Sequence, residues 1–430
     1  MRFFRVGIYC LLAFAVLAFG ATEDWSQAVL EVGVAILLVA WAIRQYVTKS
    51  EQVTLSQEFF PLGAFALVVI AQLVLHLTAS RYYTRIDLQL LVSYLIVIFL
   101  MAQVFYRRGH WRVFLWYLMT LGFAVSIFGI LQHLTFNGKL YWFRVMRYGG
   151  IPFGPYVNRN HFAGFAELII PVALVPLVLG KVRRERILLV AVFAVVPIVA
   201  LVLSASRGGI ISLAVQLVVL FLLLVVRRVR SRYMIVGGVV VLASVMAVSW
   251  IGVQQVLERF QGIQSLEVTP GKRSAMRRDT FRLFLDHPVI GTGLGTLQMV
   301  YPPYDSEYDG KIVNHAHNDY LEALAETGII GGLCCLWFLG ILLLNALKGM
   351  AVADGSFGTV LNLSGLIACC GILVHSLVDF NLHIPANALL FFVSAHMAAV
   401  RLPPADTVGE EHHHQHRRRK ERVALGRQNV

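Results

Sequence analysis

Fifteen residues, Asn314–Gly328 (NHAHNDYLEALAETG), hold two histidines, two asparagines and three carboxylates. An ordinary imidazole has a pKa of about 6.5, so it can be neutral near pH 7 and take a proton from an attacking hydroxyl. His317 is the candidate base. The alternative is that it only caps a helix or binds a loop carbonyl. His315 has the weaker claim and fits a loop-stabilising role, or contact with substrate. After His317 the sequence reads as a helix start, with Asp319 as N-cap and Glu322 three residues on. Asn318 stands between His317 and Asp319.

The second chemistry open to this chain is neutralisation of an anion by fixed guanidinium groups, which are always charged and offer paired donors. Arg207 follows Ser204 and Ser206 in SASRGG, just before an apolar run. It can snorkel to lipid headgroups or clamp a phosphate. Arg273 and Arg277, in GKRSAMRRDTFRLFLDHP, are four apart and share a helix face. They form either a solvated basic face, with Arg278, or a cationic pair. Asn158 and Asn160 flank Arg159 at the entry to another apolar run; the amides can bind sugar hydroxyls or tie loops, and the arginine can bind phosphate. Asp379, in DFNLHIPAN, can pair with one of the arginines. The turn DSEYD (305–309) alternates carboxylates, which can bind a divalent cation. A solvated acidic turn explains that spacing more simply.

These groups must be carried by a membrane protein. Of the 430 residues, 58% are hydrophobic and 14% charged, where a water-soluble domain carries about a quarter charged; mean hydropathy is +0.70. Runs of roughly 20 apolar residues lie near 6–21, 28–47, 59–78, 87–105, 113–134, 161–179, 186–203, 208–226, 233–252, 321–347, 357–378 and 385–400. Helices are expected, because backbone groups in lipid must be satisfied within the segment. The fold class is therefore an all-α polytopic membrane protein. It has about 12 transmembrane helices and a large periplasmic loop that itself contains helices. Residues 1–252 form spans one to nine, 253–320 the loop, 321–400 spans ten to twelve, and 401–430 a disordered basic tail attracted to anionic lipid. AFGA (18–21) resembles a signal-peptide cleavage site, but retention as the first span fits the whole-chain topology better. The five cysteines all fall inside spans and read as packing residues, not as a disulfide framework or zinc site.

Lys and Arg mark cytoplasmic loops. YRRGHWR, GKVRRER and RRVRSR place both termini in the cytoplasm and read as topology signals, not nucleic-acid sites. The polar motifs then converge on the opposite, non-cytoplasmic face. A transporter would more often set its polar groups near the midplane of two repeats. Glu31, Pro171 and Pro197 fall within spans, but no repeat is evident.

In order and spacing, five segments together resemble the O-antigen ligase and polymerase superfamily of bacterial inner-membrane glycosyltransferases. They are GPYVNRNHFAGFAEL, SASRGG, KRSAMRRDTFRLFLDHPVIGTGLGTL, HAHNDYLEALAETGIIGG and DFNLHIPAN. Family members often carry Trp four residues after the arginine of the outer loop. Here that position is Arg277, so either Arg273 or Arg277 takes the arginine's role. The resemblance implies a glycan donor on undecaprenyl pyrophosphate and transfer at the periplasmic face to an acceptor hydroxyl, with no metal or other cofactor. It implies His317, Arg207 and Arg273 as catalytic residues. Arg277, Asn158, Asn160, Arg159, Asn318, His315 and Asp379 would then bind substrate. Ligases use lipid A core as acceptor; polymerases use a second lipid-linked repeat unit. A non-catalytic glycolipid transporter is the reading from another class.

Overall fold

The computed structural model describes residues 1–49, 53–145, 151–228, 235–246, 249, 270–351 and 357–402. The expected loop segment 253–269 and the tail beyond residue 402 lie outside these residues, as do parts of the segment 233–252. Among the described residues the regular structure is helical, with two isolated β-bridges and no strand. The helices are α1 Arg2–Leu17, α2 Asp24–Thr48, α3 Phe59–Val74, α4 Arg81–Val104, α5 Arg108–Leu134, α6 Arg159–Val178, α7 Ile187–Leu203, α8 Arg207–Val226, α9 Ile235–Met246, α10 Pro270–Asp286, α11 Leu297–Val300, α12 Asp319–Ala351, α13 Phe357–His375 and α14 Pro385–Ala399.

Eight of the described helices are long and apolar enough to cross a membrane: α2, α4, α5, α6, α7 with its leading turn, α8, α12 and α13. Each of the other segments expected to span overlaps a shorter helix. α1 and α3 have 16 residues each and α14 has 15. Sixteen residues rise about 24 Å, less than the roughly 30 Å of a hydrocarbon core.

α6 is buried along its whole length and forms the centre of the bundle. α13 lies against it, and α5, α7, α8 and α14 complete the surround. Lipid tails are as apolar as leucine, so packing and interhelical hydrogen bonds must hold such a bundle together. Gln216 of α8 supplies two of these bonds, donating from Nε2 to the carbonyls of Glu167 (3.0 Å) in α6 and Ile367 (2.8 Å) in α13.

The segment 321–347, expected as one continuous span, is broken at Gly328. This residue sits at φ 64°, ψ −167°, a conformation open essentially to glycine alone. The loop His287–Leu297 (HPVIGTGLGTL) fills the break. Ile329 N–H donates to Pro288 O (2.8 Å), and Thr292 and Gly293 N–H donate to the carbonyls of Ala325 (3.1 Å) and Glu326 (2.9 Å). Gln72 of α3 joins in, giving Nε2 to Ile290 O (2.7 Å) and Glu326 O (2.8 Å). The Glu326 carboxylate accepts from the N–H groups of Gly295 and Leu297, both at 2.9 Å. Thus backbone groups freed by the kink find partners in the loop.

α10 and α11 pack beside the start of α12 on a small second core that includes Met276, Leu283, Leu297, Tyr301 and Ala325. The acidic turn is tied down locally. Asp309 pairs with Lys272 and accepts from Lys311 N–H (3.1 Å). Asp305 accepts from Glu307 N–H (3.1 Å).

Candidate functional site

The turn between α13 and α14 is the meeting point of the segments singled out in the sequence. Asp379 is 1% exposed. Its Oδ2 accepts from Asn160 Nδ2 (2.6 Å), and its Oδ1 accepts from Phe380 N–H (2.9 Å). His317 Nδ1 lies 3.3 Å from the same Oδ1. That is within ion-pair range, but it is too poorly aligned to count as a hydrogen bond. Asn158 is the N-cap of α6, accepting from Asn160 N–H (2.9 Å). The Phe380 ring contacts His161 and His317, each with centroids 4.9 Å apart, and stacks on His315 at 4.3 Å.

His317 is held at φ 50°, in the left-handed region that few side chains adopt. The contacts on both sides of it fix that loop. Asn318 Oδ1 accepts from Leu321 N–H (3.0 Å), and its Nδ2 donates to Leu377 O (3.0 Å). Asn318 is therefore the N-cap of α12, not Asp319 as expected. Both ends of its amide are engaged within the protein. Asp319 instead opens the helix and accepts from Ser376 Oγ (2.6 Å), Leu382 N–H (3.2 Å) and His383 Nδ1 (2.8 Å). Glu322 reaches back to Ala316 N–H (2.8 Å) and His315 Nδ1 (2.7 Å), which gives His315 the loop-stabilising contact.

The cations arrive from two sides. Arg273 of α10 donates from Nη1 to Val378 O (3.3 Å), one residue from Asp379. Its Nε–H is buried with no partner among the described residues. Arg207 opens α8 behind the cap Ser206, whose Oγ accepts from Gly209 N–H (3.2 Å). Next to it, Gly208 fits close under the same turn; a Cβ there would stand 2.6 Å from His375 Nε2 and 3.1 Å from Val378 Cγ2. Arg277 is half-buried one helical turn beyond Arg273. Arg278 turns away to Asp279 and Ser306, and Arg282 also reaches Asp279. Arg159 is buried at the first turn of α6.

Several contributors were not singled out as site residues from the sequence. His383 bridges two carboxylates, Nδ1 to Asp319 and Nε2 to Glu322 (3.3 Å). His375 pairs with Glu167 at 2.9 Å inside the bundle. The signal for that pair was present: a glutamate in an apolar helix is costly unless a partner stands opposite. Burial alone would raise the pKa of Asp379, but the imidazoles of His317, His161 and His375 outweigh it and hold the carboxyl well below the usual range. Burial opposes charge on His383, yet Glu322 and Asp319 outweigh it and hold the ring protonated well above its ordinary pKa. The nitrogens and oxygens of His315, Glu322 and His383 lie within 4.8 Å of one another, close enough in spacing to hold a metal ion. Glu322 joins the two rings, 2.7 Å from His315 Nδ1 and 3.3 Å from His383 Nε2.

Fold and site together define a multi-pass helical membrane protein. It carries an imidazole–carboxylate pair and two arginine-bearing helix ends around one turn at one end of the bundle. Residues 192–336 match a family model described as O-Antigen ligase. The match makes this part of the chain, about a third of its length, similar to that family. It contains Arg207, Arg273, Arg277, His315, His317 and Asn318; Asn158, Arg159, Asn160 and Asp379 lie beyond it. The chain matches no curated protein.

Proposed function

We propose that this protein transfers a glycan from undecaprenyl pyrophosphate to an acceptor hydroxyl at the periplasmic face of the bacterial inner membrane. The acceptor oxygen attacks the anomeric carbon while the bond from that carbon to the pyrophosphate oxygen breaks, inverting the centre. His317 takes the hydroxyl proton on Nε2, with Nδ1 turned to Asp379 as orienting partner. The pyrophosphate leaves with its charge held by Arg273 and Arg207, with Arg277 a turn away, so no metal is called for. Asn158 and Asn160 shape the floor of the site through Asp379. The acceptor is lipid A core in this reading. A polymerase would use the same donor chemistry on a second lipid-linked repeat unit.

The observation that carries the proposal is convergence at Val378–Asp379 of groups far apart in the chain: His317 against Asp379, Arg273 on Val378 O, and the head of α8 beneath. The unpartnered Nε–H of Arg273 adds a buried donor suited to an anionic ligand. The test is transfer from a lipid-linked glycan by His317→Ala protein, offered lipid A core or a second repeat unit. Transfer should be lost while donor binding persists. Transfer at the normal rate sinks the catalytic assignment. Glycolipid movement without bond formation, unchanged by the substitution, would identify a transporter instead.

A further inference from the structure

The opposite end of the bundle holds a second feature, independent of the transfer reaction. A cavity of about 470 Å³ opens there between α5, α13 and the α6–α7 connection. α6 begins beside Asp379 and its Pro176 lines this cavity. α13 runs the other way, from Phe357 on the cavity wall to His375 at the site. The 20 residues of α6 rise about 30 Å, a full hydrocarbon thickness. The two features therefore face opposite leaflets.

Four cations line the cavity: Arg112 from α5, and Lys181, Arg183 and Arg186 from the connection. Among the described residues the carboxylate within ion-pair range of any of them is Glu185, 3.9 Å from Arg183, with both side chains largely exposed. Two of the guanidiniums are oriented by rings. Arg186 lies 5.6 Å from the centroid of Trp116, and Arg112 lies 5.3 Å from that of Phe357. Below the cations the wall turns apolar, with Met119 and Val190. A loop that served only to orient the chain would need positive charge but no shared cavity. Here cations from two separate elements surround one space, and that space continues into apolar wall.

We propose that this cavity binds one anionic glycerophospholipid of the leaflet opposite the transfer site. Its phosphodiester would sit among Arg112, Lys181, Arg183 and Arg186, and its acyl chains would lie along the apolar wall. Bridging α5, α7 and α13 in this way, the lipid would clamp the helices that surround α6.

The experiment uses the full chain in phosphatidylcholine nanodiscs. Added phosphatidylglycerol should raise the unfolding temperature saturably; phosphatidylethanolamine and glycerol 3-phosphate should not. Replacing Arg112→Gln and Arg186→Gln should weaken the half-saturating phosphatidylglycerol fraction about five-fold per charge removed. Arg184→Gln, on the same connection but off the cavity wall, should leave it unchanged. In the unsubstituted protein, a photoactivatable phosphatidylglycerol should label peptides covering 112–119 and 181–190. This arm reports even if the variants fail to fold. Equal stabilisation by glycerol 3-phosphate would overturn the lipid assignment in favour of a phosphate-ester site. An equal effect of Arg184→Gln, or labelling spread over every basic loop, would reduce the feature to bulk surface charge and overturn the proposal.

Discussion

In the proposed reaction, His317 and Asp379 form the pair on which the chemistry turns. If the carboxylate orients the imidazole, Asp379→Asn should lower the rate of glycan transfer by about 10²-fold or more while donor affinity changes little. A carboxylate with a purely structural role would instead lower the unfolding temperature and the rate together, so both should be measured. His383 offers a prediction about stability. Asp319 and Glu322 raise its folded-state pKa well above the ordinary value, so unfolding releases a proton. Its stabilising contribution is complete below about pH 6.5 and fades as pH rises through the raised value. Between pH 6.5 and 9 the unfolding temperature of the unsubstituted protein should therefore fall further than that of His383→Asn. A parallel fall in both would show that the ring carries no extra proton. The sequence singles out the segments of His317, Arg207, Arg273 and Asp379, and the structure brings these segments to one turn; beside Asp379, however, stand Asn160 and His317, where the sequence suggests an arginine. A glutamate inside an apolar helix signals that Glu167 needs a partner, but which residue supplies it was not legible. Pairing across 208 residues, as between His375 and Glu167, leaves no local spacing to read.

At the scale of elements, apolar length and the need to satisfy backbone groups in lipid led to a helix in every expected span, but they did not show where α12 breaks. The reason is physical. The break is defined by a loop some forty residues upstream, whose backbone replaces the missing intrahelical bonds. Gly328 and Gly291 face each other's strands of this clamp, and a Cβ on either would collide with backbone atoms, those of Val289 or of Glu326 and Thr327 respectively. Gly328→Ala should cost about 3 kcal/mol or more, since it combines a glycine-only conformation with a backbone clash. The cost can be read as a loss of thermal stability in detergent. Gln72→Leu tests the other side. It strips donors from Ile290 O and Glu326 O inside the protein, which should cost about 1–3 kcal/mol. If both variants kept full stability, the loop would not be what holds the kink. The same clamp sets the direction in which the first turn of α12, with Asn318 and His317 at its head, leaves the membrane. Either variant should consequently lose transfer activity in proportion to its loss of folded protein.

The whole molecule separates two kinds of positive charge. Arg207 and Arg273 gather at the end of α6 where Asn158 and Asn160 begin it; Arg112, Lys181, Arg183 and Arg186 gather at the other end. Loops that stay in the cytoplasm are rich in Lys and Arg because translocating such charge is disfavoured. That rule predicts that the short, densely basic α6–α7 connection stays inside, and in that orientation the turn at Asp379 and the acidic turn 305–309 lie outside. A chain inserted the other way would carry that connection across the membrane. The native cysteines lie in or beside helices, so replacing them by alanine gives a background for mapping. Glu307→Cys should then react with a membrane-impermeant maleimide on intact spheroplasts, and Arg184→Cys only after the membrane is opened. The reverse pattern would put His317 in the cytoplasm, where a periplasmic transfer reaction could not use it.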